Sequence, residues 1–372
     1  MITMAQIEIV MVAIVVSSAC VLPGVFLVLR GMALMSDAIS HASLLGIVLF
    51  FFVVQKLNSP LLILGASLAG IVTVLLTETL IQTRRIKEDA AIGLVFPLFF
   101  SIGVILITHY ISGVHIDSDC VLFGEIAFAP FDRFQPFGYD FGPISLWVMG
   151  AIGLLNAVFV WCFYKELKLV TFDKGLAHAL GFSPIFVHYA LMGLTSVTAV
   201  GAFESVGSVL VVALMITPPA TAFLLTTRLS HMIVLSLVLG VLASIGGYAM
   251  AYAMDVSIAG AMATVTGLLF LGALFFAPTT GIVSKVLLNK TQRLRFSAQM
   301  LMVQLLDHEG KDNEAEENTI TNMVHHMGWE ERFAKRTARW AVQKRYIVRK
   351  NNRLFLTSLG RETAKEVMLN RN

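Results

Sequence analysis

The chain has 372 residues, of which 57% are hydrophobic and only 14% charged, against about 25% charged in an ordinary soluble domain. Its net charge of +3 hides a split: residues 285–372 hold 17 of the 27 Lys and Arg and 10 of the 24 Asp and Glu. A wholly water-soluble protein is excluded; a long lipid-embedded part and a short, basic, water-facing part are implied. The three cysteines, Cys20, Cys120 and Cys162, are scattered and form neither a disulfide framework nor a metal-ligand pair. Nothing basic precedes Arg30, so the N-terminus lacks the start of a cleaved signal and reads as mature sequence.

Crossing a hydrocarbon core of about 30 Å takes about 20 apolar helical residues. Runs of that order fall at 7–29, 34–54, 59–79, 91–112, 144–164, 184–203, 206–227, 231–253 and 258–280, nine candidates in all. Gly201, Gly207, Pro218 and Pro219 interrupt the hairpin from 184 to 227, so eight spans plus a re-entrant segment is the alternative. With the N-terminus outside, the inner loops carry Arg30, Arg84, Arg85, Lys87, Lys165, Lys168, Lys174 and Arg228, while the outer loops carry only Lys56 and Arg133. That bias orients the chain and places the basic tail in the cytoplasm. The outer loop 113–143 is acidic, with Asp117, Asp119, Glu125, Asp132 and Asp140.

Charged groups inside spans are costly and are functional candidates by default. Asp37 and His41 are four residues apart and share one helical face. Counted from Arg30 at about 1.5 Å per residue, they sit about 10 and 16 Å into the membrane. A carboxylate with an imidazole suits Zn²⁺, Mn²⁺ or Fe²⁺; two ligands make a poor cage, but a two-fold axis would bring two pairs together. The alternative is that the pair is structural glue, and Ser36 and Ser40 beside it serve either reading. Glu204, at the glycine-bracketed turn, reads as a second ligand, a gate or a solvated turn. Glu78, His188 and His231 fall near span edges, where snorkelling or capping accounts for them. His109, His115 and Asp117 lie at the outer mouth.

Residues 163–182 form an amphipathic inner loop, with Thr171 or Asp173 as a cap before 175–180 and a glycine at the end. A short helix along the membrane surface fits it. No Gly-x-x-x-x-Gly-Lys-Ser/Thr occurs, so the chain is not its own ATP motor, and no His-Glu-x-x-His offers a zinc-protease helix.

Several segments then converge: 29–42 (Leu-Arg-Gly-Met-Ala-Leu-Met-Ser-Asp-Ala-Ile-Ser-His-Ala), 86–93 (Ile-Lys-Glu-Asp-Ala-Ala-Ile-Gly), 122–126 (Leu-Phe-Gly-Glu-Ile), 165–174, and 207–222 with its Thr-Pro-Pro-Ala-Thr-Ala. In these, residues 7–283 resemble the manganese/zinc/iron ABC transporter permease family. The resemblance implies a non-catalytic permease of a bacterial inner-membrane importer. Its partners would be a separate ABC ATPase, an extracytoplasmic metal-binding protein and a second permease, identical or paralogous. No permanently bound cofactor is implied; the divalent metal ion is the cargo. It further implies that Asp37 and His41 line the metal path and that 165–181 docks on the ATPase, through Lys165, Glu166, Leu167, Thr171, Phe172, Asp173 and Gly181. Glu204 departs from the neutral residue the family carries there.

The tail reads as a helix over 295–308, a polar break at 309–317, helices over 319–327 and 330–345, two alternating strands joined through Asn351 and Asn352, and a last helix from Ser358. This order resembles the winged helix of diphtheria-toxin-repressor-type regulators. Lys335, Arg336 and Arg339 would then lie on a recognition helix and Arg349, Lys350 and Arg353 on the wing, as candidates for DNA or partner contact. Adjacent His325 and His326 point about 100° apart on a helix and make a poor joint site. The expected whole is an all-α polytopic membrane domain over 1–284 and a small cytoplasmic α+β domain over 285–372. Its rival is a membrane-tethered, metal-responsive regulator.

Overall fold

The computed structural model describes residues 3–55, 60–110, 126–135, 139–278, 280–311, 318–319, 324, 327–350 and 353–369. The chain divides into two compact units, Met1–Pro278 and Thr279–Asn372, each with its own buried core.

The first unit is helical. In chain order it contains α1 (Met4–Arg30), α2 (Leu34–Val54), α3 (Pro60–Gln82), α4 (Glu88–Tyr110), a 3₁₀ segment (Ile126–Phe131), α5 (Ile144–Cys162), α6 (Tyr164–Phe172), α7 (Lys174–Ala179), α8 (Pro184–Val206), α9 (Ser208–Leu225), α10 (Leu229–Met254) and α11 (Ile258–Phe276). Among the described residues, nine of these helices are long and apolar enough to cross a membrane. The acidic residues expected at 117, 119 and 125, His115 and the 122–125 part of the third motif lie outside the described residues.

Helix α1 is the hub, packed against α5, α8, α9 and α10. Its residues Val12, Val16, Cys20, Val25, Phe26 and Leu27 are fully buried. Because lipid tails are as apolar as leucine, burial alone does little to hold such helices together; close backbone approach and buried polar bonds do more. Both are present. Asn156 of α5 donates to the Ala19 carbonyl of α1 (3.1 Å) and to Thr198 Oγ1 of α8 (2.8 Å). Ser244 of α10 donates to the Ala13 carbonyl of α1, and Ser196 of α8 to the Ser67 carbonyl of α3.

The structure corrects the sequence reading at the 184–227 hairpin. Pro218 and Pro219 do not interrupt it; both are buried inside a continuous α9. Proline removes the N–H that the carbonyl four residues earlier would accept, which leaves the Met215 oxygen free of Pro219. Gly24 of α1 closes on that oxygen so tightly that a side-chain carbon on Gly24 would overlap it. A neighbouring helix thus covers the freed carbonyl, the condition under which proline survives at membrane depth. The real break is Gly207, at φ 82° and ψ 160°, a conformation open essentially to glycine alone. An unbroken helix over the 42 residues from 184 to 225 would run about 63 Å, twice the hydrocarbon core. The chain has to be redirected at one residue, and Gly207 does it. Two full helices result, so by length and composition the re-entrant alternative is not needed.

The second unit contains α12 (Ile282–His308), α13 (Glu331–Gln343), β1 (Ile347–Lys350), β2 (Arg353–Leu356) and α14 (Ser358–Leu369). Helix α12 starts 13 residues before the expected Arg295, because its first turns mix Lys285, Lys290 and Arg293 with apolar residues and show no clean face in the sequence. The strands pair antiparallel, Ile347 with Leu356 and Lys350 with Arg353, and Leu354 N–H donates to the Asn318 carbonyl. Leu301, Met302 and Leu305 of α12 close a core with Ala334, Ala338, Ala341, Ile347, Leu354 and Ala364. Most of the expected helix at 319–327, with His325 and His326, and the turn at 351–352 lie outside the described residues.

Candidate functional site

Helix α1 ends at Gly31, which takes a left-handed φ of 76°, and α2 begins only at Leu34. The intervening residues contribute no helical rise. Asp37 is therefore in the first turn of α2, and His41 lies about 10 Å along that helix from its start. The expected shared face is present: His41 Nε2 stands 3.4 Å from Asp37 Oδ1, with the two side chains 25% and 39% exposed. Two phenylalanines of α4 hold the imidazole, Phe96 at 5.9 Å and Phe100 edge-on at 5.8 Å. The pair is oriented yet open on one side.

Ser36 donates to the Ala33 carbonyl and Ser40 to the Ser36 carbonyl, both turned back onto their own helix. Glu204 is exposed in the last turn of α8, three residues before the Gly207 break. Among the described residues, no third His, Cys, Asp or Glu joins Asp37 and His41 in a metal-holding group. Among these residues the site offers two donors.

The segment 163–182 folds as two helices, α6 and α7. Of the two caps considered, Asp173 is the one used: its Oδ1 accepts the Leu176 N–H at 2.9 Å. Gly181, at φ 85°, follows the end of α7. Leu167, Val170 and Ala177 are buried beneath the pair, whereas Lys165, Lys168, Phe172, Leu176 and Leu180 are exposed and Glu166 is half-buried. The outward face is therefore apolar with a basic rim.

Sequence reasoning assigned Glu78 and His188 to the membrane edge one by one; the structure brings them together. Glu78 Oε2 lies 2.5 Å from His188 Nε2, and Arg30 Nη1 lies 3.3 Å from His188 Nδ1. Arg30 Nε also donates to Thr171 Oγ1 of α6 at 3.2 Å. These partners are 110 to 158 residues apart in the chain, so no local pattern could have paired them. His231 is exposed.

Towards the other end of α1, Arg133 clasps Asp140 (2.6 Å) and Glu8 (3.1 Å). The Gly142 N–H, and then Arg133, hold the Asp140 carboxyl below the usual carboxylate range. In the second unit, Lys335, Arg336, Arg339, Arg349, Lys350 and Arg353 are all exposed. Lys335 pairs with Glu331, and Lys335, Arg339 and Arg349 line a cleft of about 320 Å³ floored by Ala338 and Leu354.

A polytopic bundle with an oriented carboxylate–imidazole pair inside a span, and a surface-lying helix pair at its end, has the form of a membrane transport subunit. Residues 3–277 match the ABC 3 transport family, and the chain belongs to it. It is 46% identical to the zinc transport system membrane protein TroD of Treponema pallidum over 95% of this chain and 96% of that one. It is 44% identical to the manganese transport system membrane protein MntD of Bacillus subtilis over 74% of this chain and 92% of that one. Among solved structures it is similar to PsaBC from Streptococcus pneumoniae in complex with Fab, at TM-score 0.63 and 32% identity, covering 75% of this chain and 94% of that one. The TroD match runs through nearly the whole chain, tail included.

Proposed function

We propose that the chain is the membrane-spanning subunit of an importer for a divalent transition-metal ion, Mn²⁺, Zn²⁺ or Fe²⁺. The observation that carries this is the Asp37–His41 pair, open on one side of α2, in a member of the ABC 3 transport family. Mixed oxygen and nitrogen donors suit borderline divalent ions without choosing among them. The named functions of TroD and MntD, zinc and manganese transport, support the same class. A single chain holds half a coordination shell; a second permease, identical or paralogous, would supply the rest across a two-fold axis. Glu204, at the Gly207 break, serves as a gate or second ligand.

The motor is a separate ATPase docking on 165–181. Lys165, Phe172, Leu176 and Leu180 make the contact, while Leu167, Asp173 and Gly181 shape the docking helices and Thr171 faces Arg30 of the bundle instead. An extracytoplasmic metal-binding protein delivers the ion. The basic inner loops support a cytoplasmic carboxyl-terminal region, with 1–284 as the permease and 285–372 as an accessory domain. The helix–hairpin–helix order from α13 to α14 supports a winged-helix reading, with weak, salt-sensitive nucleic-acid contact through Lys335, Arg336, Arg339, Arg349, Lys350 and Arg353. The family match over 3–277 favours the transporter over a tethered regulator.

The test is uptake. Asp37→Ala and His41→Ala should each abolish accumulation of radioactive manganese, zinc and iron while the protein still inserts. Wild-type uptake in both variants would remove the pair from the path.

A further inference from the structure

Four side chains from four helices form one chain of hydrogen bonds. Glu78 (α3) meets His188 Nε2, His188 Nδ1 (α8) meets Arg30 Nη1, and Arg30 Nε (α1) donates to Thr171 Oγ1 (α6). The protons can be placed. A guanidinium only donates, so Nδ1 of His188 accepts and the ring proton sits on Nε2, donated to the Glu78 carboxylate. His188 is therefore held from both sides. The side chains of His188 and Glu78 are 12% and 26% exposed. Arg30 Nη2 is buried, and among the described residues it has no hydrogen-bond partner.

This arrangement differs in kind from the rest of the contact between α6 and the bundle. Leu167 and Val170 are fully buried apolar groups, and apolar surfaces tolerate sliding because their attraction has no direction. Charge-assisted hydrogen bonds are directional and fix one register. A push on α6 that the leucine and valine would absorb by slipping is transmitted at Arg30. The unspent Nη2 donor leaves the guanidinium able to take another acceptor when α6 moves, so the contact can exchange partners.

We propose that Arg30, His188 and Glu78, with Thr171, form a polar latch that passes displacement of α6 to the spanning helices α1, α3 and α8. Arg30 is its central positioning residue. The latch deepens the docking role proposed for 165–181 and rests on it. It predicts a separation of two activities: ATP hydrolysis continues when the latch is cut, while ions moved per ATP fall.

The experiment uses the full transporter, permease with its ATPase and binding protein, in sealed vesicles, with manganese and zinc as the ions. Hydrolysis and uptake are measured in parallel, and recovery of the ATPase with each purified variant reports assembly. Arg30→Gln and Thr171→Val should keep the ATPase and its hydrolysis but lower ions moved per ATP, by about tenfold for Arg30→Gln, a usual size for coupling between sites. Thr171→Ser, which keeps the hydroxyl, should restore the wild-type ratio. Should Arg30→Gln fail to reach the membrane, Thr171→Val, which swaps a hydroxyl for a methyl, decides. Wild-type ratios in Thr171→Val, or no rescue by Thr171→Ser, overturn the latch alone. So does a proportional loss of uptake and hydrolysis with the ATPase released. Cysteines along 166–180 of the wild-type background that never crosslink to the ATPase overturn the docking reading and the latch with it.

Discussion

In the spanning bundle, Leu94, Ile105, Leu154, Trp161 and Phe276 stand exposed, and the buried centre holds serines, threonines and an asparagine. In the carboxyl-terminal unit, by contrast, lysine and arginine cover the outside, over a core of leucine, isoleucine and alanine. The difference follows from the solvent. Water drives apolar groups inward at about 25 cal/mol per Å², whereas lipid gives no such drive and leaves cohesion to close fit and buried hydrogen bonds. In one unit, then, stability rests on glycines and polar bonds. In the other it rests on aliphatic volume.

Two substitutions separate these regimes, and a third pair removes the distinction. The largest effect is expected at Gly24→Val, which drives a branched side chain into the Met215 carbonyl. Overpacking a backbone contact of this kind costs about 3 kcal/mol or more, and thermal unfolding in detergent should show a destabilised or unrecoverable bundle. A wild-type melting temperature would mean that lipid-facing burial, not close approach, holds α1 to α9. Next comes Leu305→Ala in the second core, a large-to-small change expected to cost about 2–4 kcal/mol. Hydrogen exchange on the full chain should rise across 282–369 while amides of α1 and α8–α10 stay protected, and initial manganese uptake should remain near normal. Exchange rising through both units together would join what the comparison keeps apart. The smallest effects belong to the exposed ion pairs, Arg133 with Asp140 in the first unit and Lys335 with Glu331 in the second.

Arg133→Ala and Lys335→Ala should leave melting temperature unchanged within error at moderate salt, since exposed pairs contribute little. Both carboxyls are held below their usual range, Asp140 by the Gly142 N–H first and Glu331 by Lys335. Their small contributions are present above the unfolded carboxylate pKa and are lost as pH falls through the depressed folded values. A melting curve that weakened on raising the pH from neutral instead would contradict this sign.

The spans were legible because apolar runs of membrane length announce themselves, and the Asp37–His41 pair because four-residue spacing is a local signal. Two features misled. Proline reads as a breaker by its chemistry, but Pro218 and Pro219 lie in a helix whose freed carbonyl is covered by Gly24, a residue almost 200 positions away. Helical rise counted from Arg30 ignored the turn at Gly31, after which α2 begins only at Leu34. The Arg30–His188–Glu78 chain carried no local signal at all. Each member alone resembles an edge residue, and only the fold makes them neighbours.

Helices α2 and α3 meet where Gly46 faces Gly65, so closely that a side-chain carbon on Gly46 would overlap the Gly65 carbonyl oxygen. Phe50 of α2 fills the space against Gly65. With backbone against backbone there is no cushion of side chains to deform, so the two helices resist sliding past one another. Asp37 and His41 ride in the first turns of α2 and Glu78 in the last turns of α3. Were a displacement to reach Glu78, this backbone contact would oppose slippage between the two helices.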